Sequence, residues 1–404
     1  MTSRRDFLRM GVGSGVALGL ALPGVSFAAA ATGQARFVVV ILRGALDGLA
    51  AVPPYGDAGY AAARGPLAIG RPGGAKGALD LDGFFGLHPS LVHLHERWQA
   101  RELVVVHATA SAYRERSHFD GQNVLENGGD RPSGAASGWL NRALGALPAP
   151  RGGGLALGQN VPLILRGPAP VASWAPSQLP EVEPELVTRL RDLYSDDTTL
   201  AARLDEATRI GALADEDGGA DAGAQRQMAK GGNVERLKAI AETAGRMLAA
   251  ADGPRVAVMD AGGWDTHAGE GGAEGALAAR LRGLDEVLAA LRGGLAAAWA
   301  QSAVLVCTEF GRTVEINGTR GTDHGTGAAA LLVGGAVAGG RVLADWPGLA
   351  PRQRHEGRDL RPTIDLRAVA KGVLADHLRV PALGLDEVFP GSARTRPVAN
   401  LIRT

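Results

Sequence analysis

Aspartate, glutamate, histidine and serine gather beside glycine at several points of this 404-residue chain. The stretches are Leu42-Arg43-Gly44-Ala45-Leu46-Asp47-Gly48, Arg116-Ser117-His118-Phe119-Asp120-Gly121-Gln122, Asp260-Ala261-Gly262-Gly263-Trp264-Asp265-Thr266-His267, Thr308-Glu309-Phe310-Gly311-Arg312-Thr313 and Gly321-Thr322-Asp323-His324-Gly325. Carboxylate oxygens and imidazole nitrogens, without thiolates, suit Zn, Mn, Mg, Ca or Fe, and a cation offsets the repulsion among converging carboxylates. Two such ions about 3.5 to 4 Å apart would grip an ester's oxygens and stabilise in-line displacement at phosphorus or sulfur. Asp265 and His267 stand two apart, a spacing that lets both point one way from an extended segment and favours a ligand pair. His324, in Asp323-His324-Gly325, has little packing value and reads as functional.

Other residues stay open between a chemical and a structural role. Asp47 is either a metal ligand or the cap of a glycine-flanked turn. Ser117 opens a helix, where backbone N–H groups favour a nearby anion, so it is either a nucleophile or an ordinary N-cap. Glu309 with Arg312 is either a ligand beside a substrate-binding cation or a buried ion pair. His118 is readable as ligand, base or cap. His88, His93, His95, His107, His355 and His377 read as structural or solvent-facing.

These groups need a scaffold that brings distant stretches together. Short β-branched runs at 37–42, 103–107, 256–259, 303–307 and 329–333 are too short for helices, and amphipathic segments lie between them at 90–99, 138–147, 183–193, 233–250, 276–299 and 365–378. Strands alternating with helices predict an α/β sheet covered on both faces. The polar stretches follow the strands, where open α/β sheets collect their reactive groups. One large domain over 31–404 is expected, with a helical insertion across about 175–252. Residues 214–223, almost wholly Ala, Gly, Asp and Glu, and residues 70–77 are expected to be surface loops.

The first residues set an address. Ser3-Arg4-Arg5-Asp6-Phe7-Leu8-Arg9, a weakly apolar run and the small residues of 26–31 have the order of a twin-arginine signal peptide, cleaved near residue 30. The apolar run is shorter than the roughly 20 residues of a spanning helix, so no stable membrane span is expected. Export implies the twin-arginine machinery as a partner and a periplasmic or secreted location. The single cysteine, Cys307, can bridge nothing within the chain, which fits folding before export. Basic and acidic residues balance at 42 each and aromatics make up 4%, so no basic, aromatic-rich stripe invites nucleic acid.

His88-Pro89, Ser117-His118-Phe119-Asp120, Gly262-Gly263-Trp264-Asp265-Thr266-His267, Thr308-Glu309-Phe310-Gly311-Arg312 and Asp323-His324-Gly325 together resemble the alkaline phosphatase and sulfatase superfamily. More closely they resemble an uncharacterised family of twin-arginine-exported bacterial proteins placed within it. The resemblance implies an alkaline-phosphatase-like three-layer α/β/α sandwich with a mostly parallel sheet. It further implies a bimetal hydrolase of a phosphate or related anionic ester, with Ser117 as nucleophile and Arg312 on the substrate oxyanion. Asp47, Asp265, His267, Glu309 and His324 would be the ligands. Phe310 stands where phosphatases of the superfamily carry a histidine, a gap that His118 or Asp323 would fill. The sulfatase signature is missing. The competing expectation is a non-catalytic exported scaffold that binds a glycan or a partner protein.

Overall fold

A computed structural model describes residues 34–147, 153–176, 184–215 and 233–403. The paired arginines, the apolar run after them and all but the first two residues of the 214–223 tract lie outside the described residues. Ala214 and Asp215 end the helix Thr198–Asp215.

The strands are β1 Arg36–Arg43, β2 Leu79–Asp80, β3 Gly86–Leu87, β4 Leu103–Ala110, β5 Gly154–Leu157, β6 Val171–Trp174, β7 Val256–Gly262, β8 Ser302–Thr308, β9 Ala328–Val333, β10 Arg341–Leu343 and β11 Ile364–Asp365. All but the β2–β3 hairpin join one sheet in the order β10-β4-β9-β8-β1-β7-β5-β6, with β11 also paired to β4. Within that sheet only β9 runs antiparallel to its neighbours, β4 and β8, and the other pairings are parallel. The five apolar runs anticipated from sequence are the inner strands β4, β9, β8, β1 and β7.

Successive side chains of a strand point to opposite faces, and β1 shows what that requires. Val38, Val40 and Leu42 enter one hydrophobic core, while Phe37, Val39 and Ile41 enter the other. The first core is closed by helices Val92–Gln99, Thr198–Asp215, Asn233–Ala249 and Ala276–Leu295. The second is closed by helices His118–Asn127, Trp139–Gly145, Leu366–Asp376 and Ala382–Val388. The result is a three-layer α/β/α arrangement, and a strand buried on both faces reads as an unbroken apolar run. Helices Asn233–Ala249 and Ala276–Leu295 cross so closely that a Cβ on Gly294 would stand 2.0 Å from the Glu242 carbonyl oxygen. Helices Pro184–Leu193, Thr198–Asp215 and Asn233–Ala249 lie between β6 and β7. Among the described residues no helix is long and apolar enough to cross a membrane.

The topology decides where chemistry can occur. β1, β4, β7 and β8 end at the same edge, delivering Asp47, Ser117 with His118, Asp265 with His267, and Glu309. Because β9 is antiparallel, the loop bearing Asp323 and His324 enters it at that same edge.

Candidate metal centre

Asp265 is the hub. Its Oδ1 lies 3.0 Å from His267 Nε2 and 3.2 Å from His324 Nε2, and its Oδ2 lies 3.4 Å from His118 Nε2. His267 Nε2 and His324 Nε2 are 3.0 Å apart. His118, Asp265 and His324 each offer a ligand atom within 4.8 Å of the others.

Each ring is held by its other nitrogen. His118 Nδ1 is 2.8 Å from Glu309 Oε1, His324 Nδ1 is 3.0 Å from the Arg116 carbonyl oxygen, and His267 Nδ1 is 3.4 Å from Asp323 Oδ1. A carbonyl or carboxylate can only accept, so the proton of each neutral ring sits on Nδ1 and the Nε2 lone pair turns inward. Three Nε2 lone pairs and a carboxylate then converge, and none of the three rings has an Nε2 proton to place between them. His118 Nε2 is buried and, among the described residues, has no hydrogen-bond partner. An imidazole whose far nitrogen is tied to a carboxylate or carbonyl is how metal-binding histidines are oriented, so this donor set fits a cation.

Glu309 is fully buried, and its role differs from the expected one. Its Oε1 accepts from His118 Nδ1 and from the Gly44 N–H at 2.8 Å, and its Oε2 accepts from the Thr308 hydroxyl at 2.9 Å. Burial pushes the carboxyl up, but the hydrogen bonds from His118 and the backbone outweigh it and hold it below the ordinary range. Glu309 therefore orients His118, and Asp323 does the same for His267. In the ion-free chain the Glu309 hydrogen bond raises the His118 pKa. Burial, aided by the charge of His118, lowers that of His324. Gly44, at φ 119°, lets the β1 loop approach closely: a Cβ there would stand 2.7 Å from the Asp265 nitrogen.

Arg312 corrects a second expectation. Its side chain has 0% exposure, and its donors go to the carbonyls of Ala45, Thr322 and Trp264 and to Asp265 Oδ1 at 2.7 Å. Enclosed, with all three nitrogens engaged, it props Asp265 from within the fold rather than standing at the surface of the site. Phe310 is buried and stacks on His118 with ring centroids 5.1 Å apart. Phe310 thus backs the histidine of another loop. Ser117 is the half-buried N-cap of helix His118–Asn127 and makes no side-chain capping bond.

Asp47 does not join the centre. Its Oδ1 caps the short helix Gly48–Ala51 by accepting from Leu49 N at 2.9 Å and Ala50 N at 3.1 Å, and its Oδ2 pairs with Arg64. Arg64 also faces Glu270 at 3.7 Å, and Glu270 accepts from the Thr322 hydroxyl at 2.7 Å. All of these side chains are buried. Burial pushes Asp47 up, but the Arg64 guanidinium overrides it and holds the carboxyl below its usual range. Glu270, buried beside the Asp47 charge, is pushed up to about 9 and keeps its proton at neutral pH. Nothing in the sequence marked Arg64 or Glu270, because an arginine closing an alanine-rich turn and a glutamate among glycines both look solvated.

Glu270 carries a testable pH dependence. The native state retains a proton that the unfolded chain gives up above the ordinary carboxyl range, so its stabilising effect is complete at low pH and is lost as pH rises through about 9. Glu270→Gln stays neutral at the same shape. The variant's thermal midpoint should gain on the parent between about pH 5 and about pH 9; a constant difference across that range would mean Glu270 is already ionised.

A sequence profile of a family described as a protein of unknown function (DUF1501) matches residues 34–388, which include every residue of the centre. The chain belongs to the DUF1501 family. No curated protein matches this DUF1501 chain. Among solved structures, that of Ps i-CgsB in complex with k-i-k-neocarrahexaose aligns at TM-score 0.42 and 8% identity, covering 90% of the DUF1501 chain and 77% of the other.

Proposed function

We propose that the chain binds a single divalent cation through Nε2 of His118, His267 and His324 and the carboxylate of Asp265, and hydrolyses a small anionic ester beside it. The observation that carries this is the convergence of three imidazoles on one carboxylate, each with its Nδ1 held by an acceptor. Imidazole-rich ligation favours Zn, Mn or Fe over Mg and Ca. One ion, rather than two, follows from Asp47: its charge is already balanced by Arg64, so it needs no second cation.

When bound, the ion would polarise the ester and stabilise the charge that develops in displacement. The chain supplies the rest. Ser117 precedes His118 and keeps its hydroxyl free of the helix it caps, which suits a nucleophile. Its oxygen bonds to the phosphorus or sulfur, its proton passes to water and the alcohol oxygen of the ester leaves. A second water then cleaves the seryl ester. Arg358, partly exposed and bonded to the His324 carbonyl at 2.8 Å, would meet the substrate's negative charge in place of Arg312. An alkaline-phosphatase-like version of the three-layer fold and twin-arginine export to the periplasm or beyond belong to the same reading.

Elemental mass spectrometry on chain purified without chelators should find one ion, absent from an Asp265→Ala, His324→Ala double variant, and the loaded chain should cleave a member of a phosphate and sulfate ester panel. No ion after reconstitution with Zn, Mn, Fe, Mg and Ca removes the centre. An ion without turnover on any ester removes the hydrolase and leaves an exported binding scaffold.

A further inference from the structure

Arg116 supports the centre through its backbone, while its side chain is tied elsewhere. Its backbone is left-handed, at φ 62°, a conformation that non-glycine residues avoid unless something holds them there. What holds it is a salt bridge from Arg116 Nε to Asp359 Oδ2 at 2.8 Å, with Glu356 as a second partner. Asp359 is a firm anchor, since it is fully buried and its N–H and carbonyl are both bonded to the backbone of His355, at 3.0 and 2.9 Å. The Arg116 carbonyl meets His324 Nδ1 at 3.0 Å, and Ser117, the next residue, caps the helix whose first residue is His118.

We infer that Arg116 is the positioning residue of the metal centre: its tether to Asp359 fixes the peptide that sets the tautomer of His324 and the placement of His118. This rests on the single-cation reading above. Were the carbonyl to turn away, His324 Nδ1 would lose its acceptor, and the ring could take the other tautomer, with Nε2–H pointing at Asp265 and no lone pair for a cation. Arg358 donates to the His324 carbonyl at 2.8 Å, so the segment 355–359 meets the His324 backbone as well as the Arg116 side chain.

The test is Zn2+ affinity of the full chain, measured by chelator competition, beside the thermal midpoint of the metal-free protein. Arg116→Ala and Asp359→Asn should each weaken Zn2+ binding about 10- to 100-fold, the usual cost of losing an outer partner of a histidine ligand. Arg116→Lys, which keeps a cation for Asp359, should recover most of that loss. Arg116→Gly accepts the left-handed backbone without strain yet lacks the tether, so it should fold as the parent does and bind as weakly as the alanine variant. Parent-like affinity in the glycine variant, or a lysine variant no better than alanine, overturns the inference while leaving the centre intact. A parent chain that takes up no Zn2+ overturns the centre itself, and the inference with it.

Discussion

Asp265→Ala should strip the ion from the chain while leaving the fold in place. The carboxylate faces all three Nε2 atoms, so its loss removes the ligand set's only negative charge. It also leaves the enclosed Arg312 cation facing the site without its counter-charge, and a divalent ion would then meet a guanidinium. The fall in affinity should exceed the roughly 10- to 100-fold typical of an outer partner. Stability should suffer less. A hydrogen bond to a charged group contributes about 1.5 to 3 kcal/mol. Asp265 is 41% exposed, however, so solvent screening reduces the loss to about 1 kcal/mol. Elemental analysis of the variant purified without chelators and thermal unfolding of its metal-free form separate the two effects. A variant that retains its ion would show that Asp265 is no ligand.

The largest effect on stability should come from Arg64→Met. The parent buries a guanidinium between Asp47 and Glu270, and the variant leaves two carboxyls with no cation in a space closed to water. Breaking a buried ion pair by removing one partner costs about 3 to 5 kcal/mol. The sign of its pH dependence is fixed. Without Arg64 the Asp47 pKa must rise, because burial alone favours its neutral form. The variant therefore loses stability relative to the parent as pH climbs above the ordinary carboxyl range and regains it in acid. Urea unfolding at about pH 5 and about pH 8 reads this directly; an equal loss at both would mean that Asp47 does not depend on Arg64 for its charge.

The sheet was legible in the sequence where a strand buried on both faces carries a long apolar run. β1, β4, β7, β8 and β9 each appear as an apolar run within a few residues of their observed limits. The outer strands escaped notice: Arg341–Leu343 and Val171–Trp174 are only partly buried and short, and Gly154–Leu157 opens on glycine. In the centre, residue type revealed which groups take part but not their order of contact. Asp265 and His267 point to one place, as their spacing suggested, and His324, marked by its Asp-His-Gly setting, meets them there. His118, whose role was open, joins them, whereas Glu309 and Asp323 stand one step back. Arg312 and Asp47 could not be placed from sequence, because whether a charge reaches the mouth of a site or lies beneath it depends on the fold around it. Arg116 was invisible for a related reason: its backbone conformation and its carbonyl matter more than the identity of its side chain suggests.

The loop after β7 alternates between two destinations. Trp264 and Thr266 turn inward and are buried, while Asp265 and His267 turn out to the centre. Chain length there is consequently quantised. Inserting or deleting one residue before Asp265 would exchange the two sets, driving a carboxylate and an imidazole into the apolar interior and presenting tryptophan and threonine at the mouth. Insertions that preserve the centre in this loop should come in pairs.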